Sequence, residues 1–187
     1  MTTNPWLVPI TTLRRSIGSR REEHRRARIG ELRVADSTVP PDAEVDADAI
    51  LDAVDGGIEV TATIEAPWAS ECRRCLKPLA GTLRTQVREM YRPRTAGEPA
   101  EDDEETYPLN GEQLDLRPLV RDAILLDLPI APLCRNDCRG LCATCGADLN
   151  DGPCGCPPPA ADPRWAVLDQ LREAPGSAGG TEPGKRA

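Results

Sequence analysis

The sequence predicts an α+β fold: a small antiparallel β-sheet with packed helices and a Cys-rich, zinc-bound C-terminal segment. Three observations carry this reading. Apolar and polar residues alternate over 45–49 and 58–64, apolar residues recur at i, i+3 and i+4 over 116–124, and eight cysteines fall in two separated groups. The 187 residues suit one domain, predicted over 1–173, with a disordered Gly/Pro/Ser-rich tail at 174–187. Only 39% of residues are hydrophobic and Phe is absent, so the core must be a modest one of Val, Leu, Ile and Ala.

The N-terminal part is basic. Arg14, Arg15, Arg20, Arg21, Arg25, Arg26, Arg28 and Arg33 stand against Glu22, Glu23 and Glu31, and the segment reads either as a solvated helix face or as a phosphate-binding surface. His24, the only histidine, lies within it and is expected to be solvated. Residues 36–65 then carry nine acids and no Lys or Arg. Within them Val45, Ala47 and Ala49 alternate with acids, Asp55-Gly56-Gly57 marks a turn, and Ile58, Val60, Ala62 and Ile64 alternate again, which predicts an antiparallel hairpin. Leu79–Tyr91 predicts a third strand.

The stretch 94–108, with its acidic run Glu98 to Glu105, predicts a solvated loop, because clustered like charges repel and bury nothing. A helix is expected over Asp115–Leu128, with Asp115 as N-cap, Pro118 in the first turn and Pro129 as stop. A second is expected over Asp162–Arg172, with Trp165, Leu168 and Leu171 on one face. Trp68, Trp165, Tyr91 and Tyr107 are expected to pack rather than to stack on bases.

No apolar run approaches the ~18 residues of a membrane-spanning helix. The start, MTTNPWLVPITTLRRS, has no basic region ahead of an apolar one, so a secretory signal is not expected and the cytoplasm is the expected compartment. Disulfides are rare there, which leaves metal as the leading explanation for the cysteines. They read Cys72-x2-Cys75, then Cys134-x3-Cys138-x3-Cys142-x2-Cys145-x8-Cys154-x-Cys156. Short Cys-x2-Cys loops let two thiolates converge on one ion at about 2.3 Å, and eight thiols fill two four-thiolate zinc sites. The segment 134–156 is poor in core residues and has little besides metal to hold it. One split groups Cys72, Cys75, Cys134 and Cys138 apart from Cys142, Cys145, Cys154 and Cys156. An interleaved one joins the two Cys-x2-Cys units. A redox Cys-x2-Cys would instead open a helix of a βαβ unit, and Cys72 follows a strand.

Five motifs in this order, Glu71-Cys72-Arg73-Arg74-Cys75-Leu76-Lys77-Pro78, Leu128-Pro129-Ile130-Ala131-Pro132-Leu133-Cys134, Cys138-Arg139-Gly140-Leu141-Cys142, Cys145-Gly146-Ala147-Asp148-Leu149-Asn150 and Asp162-Pro163-Arg164-Trp165-Ala166-Val167-Leu168, resemble the YceD family of large ribosomal RNA subunit accumulation proteins over Leu13 to Leu171. The resemblance implies a bacterial cytoplasmic protein, with plastid relatives, needed for 23S rRNA accumulation, and no enzymatic activity. Shorter members keep counterparts of the first four cysteine positions (a His/Cys pair matching Cys134 and Cys138) and lack the last four, which favours the first split.

A 23S rRNA or large-subunit precursor would meet phosphate-binding arginines, for which the candidates are Arg14, Arg15, Arg20, Arg21, Arg25, Arg26, Arg73, Arg74, Arg135 and Arg139. Arg73 and Arg74 have a second reading, offsetting the charge of a tetrathiolate centre. The net charge of −8 favours a different partner, a basic ribosomal protein held by Asp46, Asp48, Asp52, Glu59, Glu65 and Glu101 to Glu105. A thiol oxidoreductase, the third possibility, predicts that bound zinc is absent.

Overall fold

The computed structural model describes residues 4–93, 106–109, 111–157 and 164. Its elements in chain order are β1 (Leu7–Pro9), a short 3-10 turn (Leu13–Arg15), β2 (Arg20–Arg28), β3 (Leu32–Val34), β4 (Ser37–Val39), β5 (Glu44–Val54), β6 (Gly57–Glu71), β7 (Pro78–Pro93), β8 (Thr106–Leu109), β9 (Gln113–Asp115) and α1 (Arg117–Asp127). Contacts divide the chain into two units, Met1–Gly140 and Leu141–Ala187.

The expected hairpin is β5–β6, in register from Asp46↔Glu65 to Val54↔Gly57. β7 pairs with β6 along its length, from Ile58↔Tyr91 to Glu71↔Pro78, and so occupies one edge of β6 entirely. β5 and, beyond its end, β4 (through Thr38↔Ala69) share the other edge. β2 continues the sheet outside β5, and β8 runs parallel to β7. β1 and β9 form a separate two-stranded pair, Leu7↔Asp115 to Pro9↔Gln113.

Period-2 alternation does what it predicts. Val45, Ala47, Ala49, Leu51 and Ala53 of β5 and Ile58, Val60, Ala62, Ile64 and Ala66 of β6 are buried on one face. Leu119, Val120, Ala123 and Ile124 of α1 join the same core, with Trp6, Val8 and Leu114 from the β1–β9 region. Trp6 replaces the missing Phe as a large filler. It is 1% exposed, and its indole Nε1 donates to the Arg28 carbonyl at 3.2 Å. Tyr91 is equally buried and donates its hydroxyl to the Asp115 carbonyl at 3.0 Å. Tyr107 stacks on Tyr91 with ring centroids 5.1 Å apart and donates to Asp122 of α1.

The Arg-rich segment is not a helix face. It is the strand β2, paired residue for residue with acidic β5 from Arg20↔Asp52 to Arg28↔Glu44. The two charge blocks of the sequence are thus cross-strand neighbours. Arg20 meets Asp52 at 2.7 Å, Arg26 meets Glu44 at 2.8 Å, and His24 Nδ1 lies 2.7 Å from Asp48. On the other face of β2, Glu23 sits between Arg21 and Arg25 with its carboxylate side chain only 7% exposed. Inward-pointing charges on an edge strand oppose pairing with a further strand.

Of the two expected helices, the described residues contain the first. α1 is the one α-helix among the described residues, and the sheet, mostly antiparallel, dominates. The helix starts one residue later than expected. Leu116 takes the N-cap position and Asp115 ends β9, although Asp115 Oδ1 still accepts the Arg117 N–H at 2.9 Å. The end of the expected acidic loop, 106–108, forms β8 together with Leu109. Residues 94–105, the Asp162–Arg172 helix apart from Arg164, and the 174–187 tail lie outside the described residues. Among those described, no helix is long and apolar enough to cross a membrane.

Candidate metal centres

The first centre is built at the tip of the longest hairpin. β6 and β7 pair down to Glu71↔Pro78, so Cys72 to Lys77 form their connection. The Cys72 N–H donates to the Lys77 carbonyl at 2.8 Å and the Leu76 N–H to the Cys72 carbonyl at 2.9 Å. The chain can turn this tightly because Leu76 takes a left-handed φ of 58°. Two further cysteines arrive on the segment that leaves α1. Ser37, fully buried in β4, donates to the Pro129 carbonyl at 2.5 Å and anchors that segment at its start. The Arg73 N–H then donates to the Pro132 carbonyl at 3.0 Å, and the Cys138 N–H to the Arg135 carbonyl at 3.1 Å.

Arg74 closes the two halves together, Nη1 donating to the Cys138 carbonyl at 2.8 Å. Gly140, at φ 76°, passes so near that a Cβ there would stand 2.9 Å from the Arg74 carbonyl oxygen. The Cys72 and Cys138 sulfurs are 3.8 Å apart, those of Cys75 and Cys134 are 3.6 Å apart, and all four lie within 4.8 Å of one another. A tetrahedron with metal–sulfur bonds of about 2.3 Å has edges of about 3.8 Å, whereas a disulfide needs about 2.05 Å. The observed spacing suits a four-thiolate metal site.

The second centre lies wholly in the second unit and repeats the first turn. The Cys142 N–H donates to the Ala147 carbonyl at 2.8 Å, the Gly146 N–H to the Cys142 carbonyl at 2.9 Å, and Gly146 takes φ 73°. Leu141 bridges to Asp148, whose Oδ1 accepts the Asn150 N–H at 2.9 Å. Cys142, Cys145, Cys154 and Cys156 bring their sulfurs within 4.8 Å of one another. The grouping is that of the first split and not the interleaved one.

The two quartets also share an electrostatic pattern. Burial pushes the Cys72 thiol up, but backbone N–H groups of Cys134, Cys75 and Arg74 outweigh it and bring the group down to about 6. Cys142 is brought down to about 6 chiefly by the backbone N–H groups of Cys145 and Thr144. Burial and then Cys138 push Cys134 up to about 12, while Cys145 and then burial push Cys156 up to about 12. Each quartet thus contains a readily formed thiolate and one that forms only with difficulty beside its neighbours. All four cysteines of a quartet can be thiolates together only with a cation among them. The all-sulfur donor set is that of closed structural zinc sites.

The arginines fall into distinct groups. Arg20 and Arg26 are tied to Asp52 and Glu44, Arg21 and Arg25 to Glu23, and Arg14 to the Gly111 carbonyl at 2.8 Å. Arg15 is exposed in the 3-10 turn. Arg73, Arg135 and Arg139 are exposed around the first centre, Arg135 lying 3.4 Å from Asp137, while Arg74 is committed to the Cys138 carbonyl. Asp46, Asp52, Glu59 and Glu65 of the acidic set pair with arginines of β2 and β7. The sequence gives no signal for Ser37, which acts through its hydroxyl, and shows Leu76 only as part of the first cysteine motif, without its left-handed backbone.

Residues 60–172 match the family described as large ribosomal RNA subunit accumulation protein YceD. An uncharacterized protein of Mycobacterium tuberculosis is 35% identical over 173 residues, 90% of this chain and 82% of the relative. One of Mycobacterium leprae is 34% identical over 147 residues, 78% of this chain and 65% of its own. A chloroplastic YCED homolog 1 of Arabidopsis thaliana, named as a large ribosomal RNA subunit accumulation protein, is 33% identical over 67 residues, 36% of this chain and 21% of its own. No solved structure matches. With more than half of its length matched, the chain belongs to the YceD family.

Proposed function

We propose that this protein is a non-enzymatic factor for large-subunit rRNA accumulation that binds 23S rRNA or a precursor particle and is held in shape by two structural zinc ions. Membership of a family described by large ribosomal RNA subunit accumulation carries the biological role. The two thiolate quartets support the zinc. Cys72, Cys75, Cys134 and Cys138 would hold one ion, and Cys142, Cys145, Cys154 and Cys156 the other. Zinc supplies no chemistry beyond cross-linking in sites closed by four protein ligands. Its effect is to fix the hairpin tip against the segment after α1, and to give the second unit a centre that its composition does not otherwise provide. The bacterial cytoplasm is the compartment that goes with this role.

A second reading, an adaptor for a basic ribosomal protein, draws on the net charge of −8. The ion pairing of Asp52, Glu59 and Glu65 weakens it, because those carboxylates already have partners. Metal analysis and co-sedimentation together test the proposal. Two equivalents of zinc and migration with large-subunit precursors, lost on ribonuclease treatment, are expected. Absence of zinc, or ribosomal proteins retained after complete RNA digestion, would overturn it.

A further inference from the structure

The two Cys-x2-Cys turns share their closing hydrogen bonds but fill the left-handed position differently. Both use a hydrogen bond from the first cysteine N–H to a carbonyl five residues on, a return bond from the residue four on, and a left-handed φ at that residue. The second turn fills this place with Gly146, the residue for which it carries no steric cost. The first fills it with Leu76, at φ 58°, and leaves the residue 57% exposed. A γ-branched residue in this conformation is a net cost to folding, and an exposed Leu returns little of it through burial. The turn does not need the side chain, so something outside the fold must.

The surroundings say what kind of partner fits. Leu76 stands at a rigid hairpin tip between Cys75 and Lys77, with exposed Arg73 in the same turn. The segments 71–78 and 132–140 carry Arg73, Arg74, Lys77, Arg135 and Arg139 against only Glu71 and Asp137, which leaves a positive surface even around a dianionic tetrathiolate centre. The corresponding stretch of the second unit, 141–157, has Asp148 and Asp151 and no Lys or Arg. Four arginines on the outer face of the sheet are paired in place, Arg20 with Asp52, Arg26 with Glu44, Arg84 with Glu65 and Arg88 with Glu59. Of the two cysteine centres, only the first combines an exposed large apolar side chain with surplus positive charge.

We infer that Leu76 is a contact residue for an unpaired RNA base, which lies on its side chain while Arg73 and its basic neighbours hold the flanking phosphates. Exposed apolar groups on short metal-fixed loops suit splayed-out bases, and arginine forks suit the backbone beside them. The inference rests on the RNA-binding reading proposed above and assigns it a surface, the tip of the β6–β7 hairpin.

The test exploits the turn itself, because Leu76→Gly places the residue of the second turn into the first and keeps the fold. Binding of a 23S rRNA transcript is measured across a salt series for the parent protein, L76G, L76M and R73A, each confirmed folded by its melting temperature and zinc content. L76G should weaken binding about tenfold with an unchanged salt slope, L76M should stay within about twofold, and R73A should lower the slope by about one. Equal affinity of parent and L76G would overturn the inference, as would L76G keeping its RNA while losing capture of a ribosomal protein. A parent protein that does not bind the transcript at low salt would instead overturn the RNA-binding reading itself.

Discussion

Leu76 holds in the first cysteine turn the left-handed position that Gly146 holds in the second, with matching hydrogen bonds on either side. Stability should therefore respond in opposite directions to exchange. Leu76→Gly relieves about 1 kcal/mol of backbone strain, partly offset by greater freedom of the unfolded chain, and should leave the melting temperature unchanged or raised. Gly146→Leu should weaken metal retention at the second centre, seen as faster zinc release to a chromophoric chelator. A lowered melting temperature for L76G would contradict the assigned geometry.

Ser37 is one of two buried polar residues among the described residues, and its hydroxyl serves the Pro129 carbonyl. Ser37→Ala leaves that carbonyl without its hydroxyl donor and should cost about 1–2 kcal/mol in denaturant unfolding. Because the carbonyl begins the segment leading to Cys134, zinc should also leave the first centre sooner than the second.

Removing the metal should have an uneven effect. The core from Trp6 to Leu128 is built of strands and α1 and contains none of the cysteines, so β-sheet circular dichroism should persist after chelation. Hydrogen exchange should accelerate over 132–157 and at the Cys72–Lys77 turn. Loss of the whole β signal on chelation would show that metal holds the sheet as well.

Glu23 balances two arginines on the inner face of β2 with 7% of its side chain exposed. Glu23→Ala should destabilise by about 2–3 kcal/mol, since it leaves Arg21 and Arg25 facing each other over apolar β5. Denaturant unfolding checks this, and Asp48→Ala, on the exposed face, should stay within about 0.5 kcal/mol.

Burial, reinforced by the nearby charge of Tyr107, raises the Tyr91 hydroxyl well above its ordinary value. The folded state therefore keeps a proton that the unfolded chain gives up near pH ~10. The associated stability is fully present below that pH and declines as pH rises above it. Melting temperatures should fall more steeply above about pH 10 in the parent than in Tyr91→Phe.

Local periodicity made a good part of the fold legible. Alternation at Val45–Ala49 and Ile58–Ile64 fixed a hairpin, and the stripe Leu116–Ile124 fixed a helix, because a residue's face follows from its backbone repeat alone. The cysteines announced a metal-ligating donor set because ligand chemistry is written in residue type and spacing. The Arg-rich segment was harder. β2 alternates charge with charge, and its inner face buries arginine stems and a carboxylate where apolar residues are usual, so it carries no apolar signal.

The sequence by itself thus determined the hairpin, the helix and a thiolate chemistry. Only the tertiary structure decided which cysteines meet, because that depends on where the β6–β7 tip and the chain leaving α1 come together. It alone paired Leu7 with Asp115, distant partners whose register no local repeat encodes. It also placed Leu76 in a left-handed turn, a conformation that residue identity argues against and that the closure of the hairpin imposes.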